Sequence, residues 1–345
     1  MHDVPLALLT RDRPIEQQAW RSFWDRLHEG GLQRGETVAL LASLATRMPD
    51  QDTLSAFLRS LDERRPQPVG LPDGTVNIVG TGGGPSTFNI STAAALVAAA
   101  MGVRVAKTGS RAYTSTCGSQ DLLELLGIPL TTSYEQTGAM LERHGIAFPG
   151  HFVYPRELML LAKSILPLEL RTLGRFVNAV GPFLAAMPVS CRLVGVADPS
   201  LLPTLRYVAD STPDRRTWLC SNAQGIDELV SSVDNVIHSN DGTGPELLRA
   251  DASGPYSITD LRPAGRKEEV VAHFLDVLSG KGGPLATRTV CLNAAALAVA
   301  SGLVEDWTDA RAAADDALRS GRALDLVNRL RTQPGRTTAG GAGLR

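Results

Sequence analysis

Residues 79–92 read VGTGGGPSTFNIST, and the reading of this stretch decides the fold. Gly80, Gly82, Gly83 and Gly84 crowd one turn between the apolar, β-branched run VNIVG (76–80) and the alanine-rich STAAALVAAAM (91–101), a strand–turn–helix pattern. Glycines let the backbone turn tightly and aim consecutive N–H groups at a ligand, while the following helix adds its positive end. That combination suits a phosphate. The dinucleotide fingerprint GxGxxG fails, because Pro85 stands where the third glycine belongs. A P-loop fails too, since SGKGG around Lys281 lacks the spacing and the hydroxyl. Alone, the turn reads equally well as a structural one. The sequel adds an amide and two hydroxyls, Asn89, Ser91 and Thr92, at the helix start.

Outward from this turn, strand-like and helical stretches alternate. VRVAK, HGIAF, CRLVGVA and RTWLC read as buried strands, and SQDLLELLG, EEVVAHFLDVLSG, TVCLNAAALAVASGL and WTDARAAADDALRSG as helices. The pattern predicts an α/β fold with a mostly parallel central sheet. Upstream, residues 14–64 carry three helical stretches, ended by RRPQPVGLPDG, a proline- and glycine-rich linker. A helical interruption runs from about Pro155 to Thr172, and the glycine-rich 332–345 reads as a flexible tail.

Composition limits what the fold can do. The 345 residues are 43% hydrophobic, ample for a core, and a net charge of −2 offers no basic field for nucleic acid or an anionic membrane. Cys117, Cys191, Cys220 and Cys291 form no CxxC pair, which argues against a zinc knuckle or disulfide framework and favours a reducing cytoplasm. The apolar stretch near Met1 is too short for a signal peptide or span.

Two further loops carry chemistry. KTGSRAYTSTCGSQDLLELLG (107–127) follows a strand and supplies Lys107, Arg111 and the hydroxyls of Ser110, Thr114, Ser115 and Ser119 before a helix, as a diphosphate would require. In QGIDELV (224–230), adjacent Asp227 and Glu228 follow another strand; such carboxylates hold Mg²⁺, which keeps several waters and bridges to phosphates. Each loop alone reads as a polar turn with an acidic helix start. Together, at the ends of strands of one sheet, they describe a site.

In this order and spacing, GTGG…TFNIST, KxGxR…GSxDLLExLG, RFVNAVGPF and GxDE resemble the anthranilate phosphoribosyltransferases, relatives of the pyrimidine nucleoside phosphorylases, over about residues 14–331. The resemblance implies a small helical domain, residues 1–66 completed by helices around 155–182, that dimerises. Beside it stands an α/β domain, 67–154 and 183–331, that binds phosphoribosyl diphosphate. It implies Mg²⁺-dependent transfer of the 5-phosphoribosyl group to the amine of anthranilate or a related aromatic acid, as in tryptophan biosynthesis. By position, the donor would meet Gly80, Gly83, Gly84, Thr87, Asn89, Ile90, Ser91, Thr92, Lys107, Thr108, Gly109, Ser110, Arg111, Thr114, Ser115 and Ser119. The metal would meet Ser91, Asp227 and Glu228; Lys107 and the carboxylates would stabilise the departing diphosphate. Gly80, Thr108, Ser110 and Arg171 would line the acceptor.

The departures bear on the acceptor. Gly84 replaces the family's aspartate in a loop about one residue shorter, and KTGS replaces KHGN, putting Thr108 and Ser110 for a histidine and an asparagine. Leu168 stands at the family's acceptor arginine, leaving Arg171 as the nearest basic candidate. These point to a roomier, less cationic acceptor pocket. A nucleoside phosphorylase and a non-catalytic donor-binding relative are the alternative readings.

Overall fold

The computed structural model describes residues 1–65, 67–111, 117–212, 215–251, 254 and 256–331. The expected tail, 332–345, lies outside them, as do Thr114, Ser115 and the Arg171 side chain.

The chain opens with helices α1 (Asp3–Thr10), α2 (Gln17–His28), α3 (Arg34–Thr46) and α4 (Gln51–Asp62). Helix α1 was not legible in the sequence, where its eight residues read only as a short apolar run broken by Pro5; the proline falls in the first turn, where it is tolerated. In α2, Trp20, Phe23, Trp24 and Leu27 recur at helical spacing and are buried on one face. Asp50 caps α4 by accepting the Thr53 N–H at 2.8 Å. Then follow β1 (Val76–Gly80), α5 (Ile90–Ala100), β2 (Val105–Ala106), α6 (Ser119–Leu126), α7 (Tyr134–His144) and β3 (Ile146–Ala147). Helices α8 (Arg156–Ser164), α9 (Leu170–Leu173) and α10 (Arg175–Leu184) form the interruption. Leu161, Phe176 and Val180 from it share one core with α1–α4, where Phe57 meets Phe176 edge to face at 5.2 Å.

The remaining elements are β4 (Cys191–Gly195), α11 (Leu202–Asp210), β5 (Arg216–Asn222), β6 (Asn235–Ser239), β7 (Glu246–Leu248), α12 (Lys267–Leu278), α13 (Pro284–Ser301), α14 (Trp307–Arg319) and α15 (Arg322–Arg331). The sheet order is β3-β2-β1-β4-β5-β6-β7. Its first five strands are parallel, as expected; β6 and β7 add an antiparallel edge. Val76, Ile78, Cys191 and Leu193 face α5 and α13, two helices buried almost all round whose alanines allow close approach. The other face, with Asn77, Val79, Arg192 and Val194, turns towards α10 and α11. Chain order reverses between β1 and β4, so the crevice beyond their carboxyl ends is the switch point where such sheets bind ligands. All four cysteines are buried thiols. Among the described residues, no helix is long and apolar enough to cross a membrane.

Candidate functional site

The glycine turn leaves β1 at this switch point. Gly82 and Gly83 take φ of +65° and +86°, values that a side chain would strain, and both are exposed. Asn89, also left-handed at φ +67°, begins α5 and donates from Nδ2 to the Cys117 carbonyl at 3.1 Å, joining the glycine loop to the lysine loop. A non-glycine residue in that region marks strain held by its surroundings, a common property of ligand sites. Ile90 is buried, and the Thr92 hydroxyl is buried with no partner in the first turn of the helix.

The carboxylate loop crosses over the ends of both central strands because two glycines make room for it. A Cβ on Gly80 would lie 1.9 Å from Asp227 Oδ2, and one on Gly195 only 1.5 Å from the Asp227 carbonyl oxygen. Asp227 Oδ2 then accepts the Gly82 N–H at 2.9 Å. Thr87 donates to Glu228 at 3.4 Å, and the Ser91 N–H faces the same carboxylate. Two asparagines hold the loop from beneath. Asn222 Nδ2 donates to the carbonyls of Ile226 and Glu228 at 3.0 and 2.9 Å, while Asn293 of α13 takes the Leu229 N–H and returns a bond to its carbonyl at 2.7 Å. Neither asparagine stood out in the sequence.

Lys107, 4% exposed, shares this pocket with Asp227 and Glu228. Its ammonium donates to the Thr108 carbonyl at 3.1 Å, and burial pushes its pKa down to about 8 against the pull of the two carboxylates. Burial raises both carboxyls; Glu228 goes furthest, well above its usual range, because Asp227 is beside it. Asp227, steadied by the Gly82 N–H, is the one that ionises first. Ionising both carboxylates beside the one lysine leaves the pocket short of a positive charge, which is why Glu228 holds its proton when only Lys107 faces the pair. That deficit fits a divalent cation held by one or two carboxylates and completed by substrate phosphates. Among the described residues, no cluster of three or more His, Cys, Asp and Glu side chains offers a full protein cage.

The other expected residues divide. A Cβ on Gly109 would meet Ser119 Oγ at 2.0 Å, so the lysine loop packs tightly on the start of α6. Ser110 is exposed; Arg111 reaches away to Asp121 and Glu124 at 2.9 and 3.1 Å. Thr108 is fully buried, its hydroxyl bonded to Asn77 at 2.9 Å and to Tyr154, so its side chain offers no atom to the cleft. Gly84 admits no side chain: a Cβ would lie 2.2 Å from the Gly225 carbonyl oxygen. Leu168 is 37% exposed on the helical side.

Comparison with known proteins fits this geometry. A family model described as "Glycosyl transferase family, a/b domain" matches residues 73–324. Anthranilate phosphoribosyltransferases of Erythrobacter litoralis and Desulfatibacillum aliphaticivorans are each 31% identical, the first over 95% of this chain and 98% of its own, the second over 94% and 96%. The crystal structure of the Thermus thermophilus anthranilate phosphoribosyltransferase superposes with a TM-score of 0.77 at 29% identity, covering 96% of this chain and 98% of that one. The Saccharomyces cerevisiae enzyme in complex with PRPP and Mg shares the fold, with a TM-score of 0.78 at 20% identity over 95% and 96% of the two chains. A glycine turn, a buried lysine and paired carboxylates at the switch point, carried on a chain this similar end to end, make the protein a glycosyltransferase that belongs to the anthranilate phosphoribosyltransferase family.

Proposed function

We propose that the protein transfers the 5-phosphoribosyl group from phosphoribosyl diphosphate to the amine of anthranilate or a related small aromatic acid, releasing diphosphate, with Mg²⁺ as cofactor. The observation that carries this reading is the juxtaposition of Lys107, Asp227 and Glu228 beneath the glycine turn. Asp227 and Glu228 would hold Mg²⁺, beside Ser91; the ion supplies charge neutralisation for the departing diphosphate. Lys107 adds a cation in a buried setting, where it is worth more than in water. The N–H groups of Gly83 and Gly84, with the positive end of α5, would donate to phosphate oxygens. Diphosphate departs as positive charge grows on the ribose C1, and the acceptor amine attacks from the opposite face, so positioning replaces acid–base chemistry.

Residues 1–66 with 155–182 are read as a helical domain, and 67–154 with 183–331 as the donor-binding domain. Exposed Leu6, Leu9 and Met159 on the helical side support a homodimer formed there. A cytoplasmic location accords with four buried thiols. The test is diphosphate release from phosphoribosyl diphosphate and Mg²⁺ against a panel of aromatic amines and acids. Anthranilate or a close analogue should turn over. Release with none of them, alongside phosphate-dependent nucleoside cleavage, would refute the reading.

A further inference from the structure

Three arginines line a cavity where the end of α1, the end of α3 and the start of α4 meet, and none of its walls belongs to the donor cleft. Arg11, Arg13 and Arg47 contribute the cations, and Asp50 is the one carboxylate in the lining. The cavity holds about 220 Å³, less than the roughly 300–1,000 Å³ of pockets for drug-sized ligands. It suits a small ion or a small phosphorylated molecule. Arg11 closes α1 in the left-handed region at φ +51°, and its guanidinium donates to the Ser43 and Arg47 carbonyls at 2.9 and 2.8 Å, so it caps the end of α3. Arg13 and Arg47 are exposed, and among the described residues no carboxylate pairs with either.

Asp50 does not answer these charges. Its Oδ1 accepts the Thr53 N–H at 2.8 Å and its Oδ2 the Thr53 hydroxyl at 2.7 Å, within the cap of α4. The same Thr53 Oγ1 accepts the Ile15 N–H at 2.9 Å, which fixes the segment carrying Arg13 against α4. Asp12, between the first two arginines in sequence, takes a bond from Thr10 at 3.0 Å and lies outside the lining. Burial first and the Arg47 charge second lower the Arg11 pKa, and Asp50 only partly opposes them. The lining therefore keeps a surplus of positive charge carried by two uncommitted guanidinium forks. One carboxylate satisfies one fork, whereas a phosphate, with roughly two negative charges at pH 7 and at least three acceptor oxygens, answers both. We propose that Arg13 and Arg47, beside the Arg11 cap, bind the phosphate group of a small ligand at the junction of α1, α3 and α4, an anion site separate from the donor cleft. Its occupant ties three helices together and stabilises their domain by mass action.

The probes are inorganic phosphate, ribose 5-phosphate and, as a dianion without phosphorus, succinate, titrated calorimetrically into the full chain without Mg²⁺ or donor. Wild type and Lys107→Met, which alters only the donor cleft, should bind the two phosphates alike and more tightly than succinate. Arg13→Gln combined with Arg47→Gln should weaken phosphate binding about tenfold or more. Both side chains are exposed, so in phosphate-free buffer the double variant should melt within a few degrees of wild type, and it should lack the rise in Tm that phosphate gives wild type. Tighter binding of ribose 5-phosphate supports a phosphomonoester as occupant, and tighter binding of inorganic phosphate supports the free ion. Equal phosphate affinity in wild type and the double variant overturns the proposal, as does loss in Lys107→Met alone, succinate binding as tightly as phosphate, or no binding of either phosphate at millimolar concentration. Turnover is read separately, so failure of the transferase reading leaves this result interpretable.

Discussion

Replacing Gly80 by alanine tests whether the Asp227 carboxylate must sit where it does. The new methyl would lie 1.9 Å from Asp227 Oδ2, 2.6 Å from its Cγ and 3.2 Å from its Cβ. Normal contact requires the carboxylate to swing away by more than about 1 Å, which also breaks its 2.9 Å bond from the Gly82 N–H. The obstacle is a side chain, so the strand stays in place, and the cost in stability is about 1–3 kcal/mol of overpacking and a lost charge-assisted bond. The functional loss is larger in kind, because a misplacement of that size costs about a hundredfold in rate, near 2.7 kcal/mol of barrier. Gly195→Ala supplies the contrast. There the methyl meets the Asp227 backbone oxygen at 1.5 Å, which no rotamer relieves, so stability should fall first. Diphosphate release across a Mg²⁺ titration, paired with melting curves, separates the two effects. Gly80→Ala with wild-type turnover and unchanged Mg²⁺ dependence would refute the placement of Asp227 at the metal.

The pH response follows from Lys107. Its folded pKa of about 8 lies below the ordinary 10.5, so between these values the unfolded chain binds more protons and this group's contribution to stability rises with pH. Donor affinity should move the opposite way, falling above about pH 8 by at most about tenfold per unit, and calorimetry of Lys107→Met should lack that limb. Asp227→Ala with Glu228→Ala should abolish Mg²⁺-dependent turnover while circular dichroism stays native, since the loop is held by Asn222 and Asn293; persistence of the Mg²⁺ response would exclude the pair. Thr108→His should cost about 2–4 kcal/mol in a denaturant melt, because the side chain is enclosed and bonded to Asn77. A wild-type melt would mean that the position opens to the cleft.

The parallel half of the fold was legible because its strands are apolar and β-branched and its turns announce themselves with glycine. The antiparallel edge was not: NVIHS and ELL are short, and Asn235, His238 and Ser239 carry little strand preference. The three loops could be read from residue type, yet the direction of a side chain at a strand end could not. Strand β2 spans two residues, and whether Thr108 faces the cleft or the sheet interior depends on parity after it stops. The roles of Asn222 and Asn293 were hidden for a related reason. Asn293 meets Leu229 across 64 residues of chain, and the partner of a polar side chain buried in an apolar helix is set by tertiary packing alone. Arg192 interrupts an apolar strand, a signal that reads equally as an outward-facing residue until the helical bundle covers that face.

The carboxylate loop is tied to three parts of the chain at once, to the turn after β1 through Gly82, to β5 through Asn222 and to α13 through Asn293. Such a loop cannot present its carboxylates until segments more than 200 residues apart in sequence have assembled. Metal and donor therefore select the completed chain over any partly folded intermediate, and their binding free energy is added to native stability by mass action. A cell short of phosphoribosyl diphosphate would hold the same polypeptide in a more protease-sensitive state, so the abundance of the protein would follow the supply of its donor.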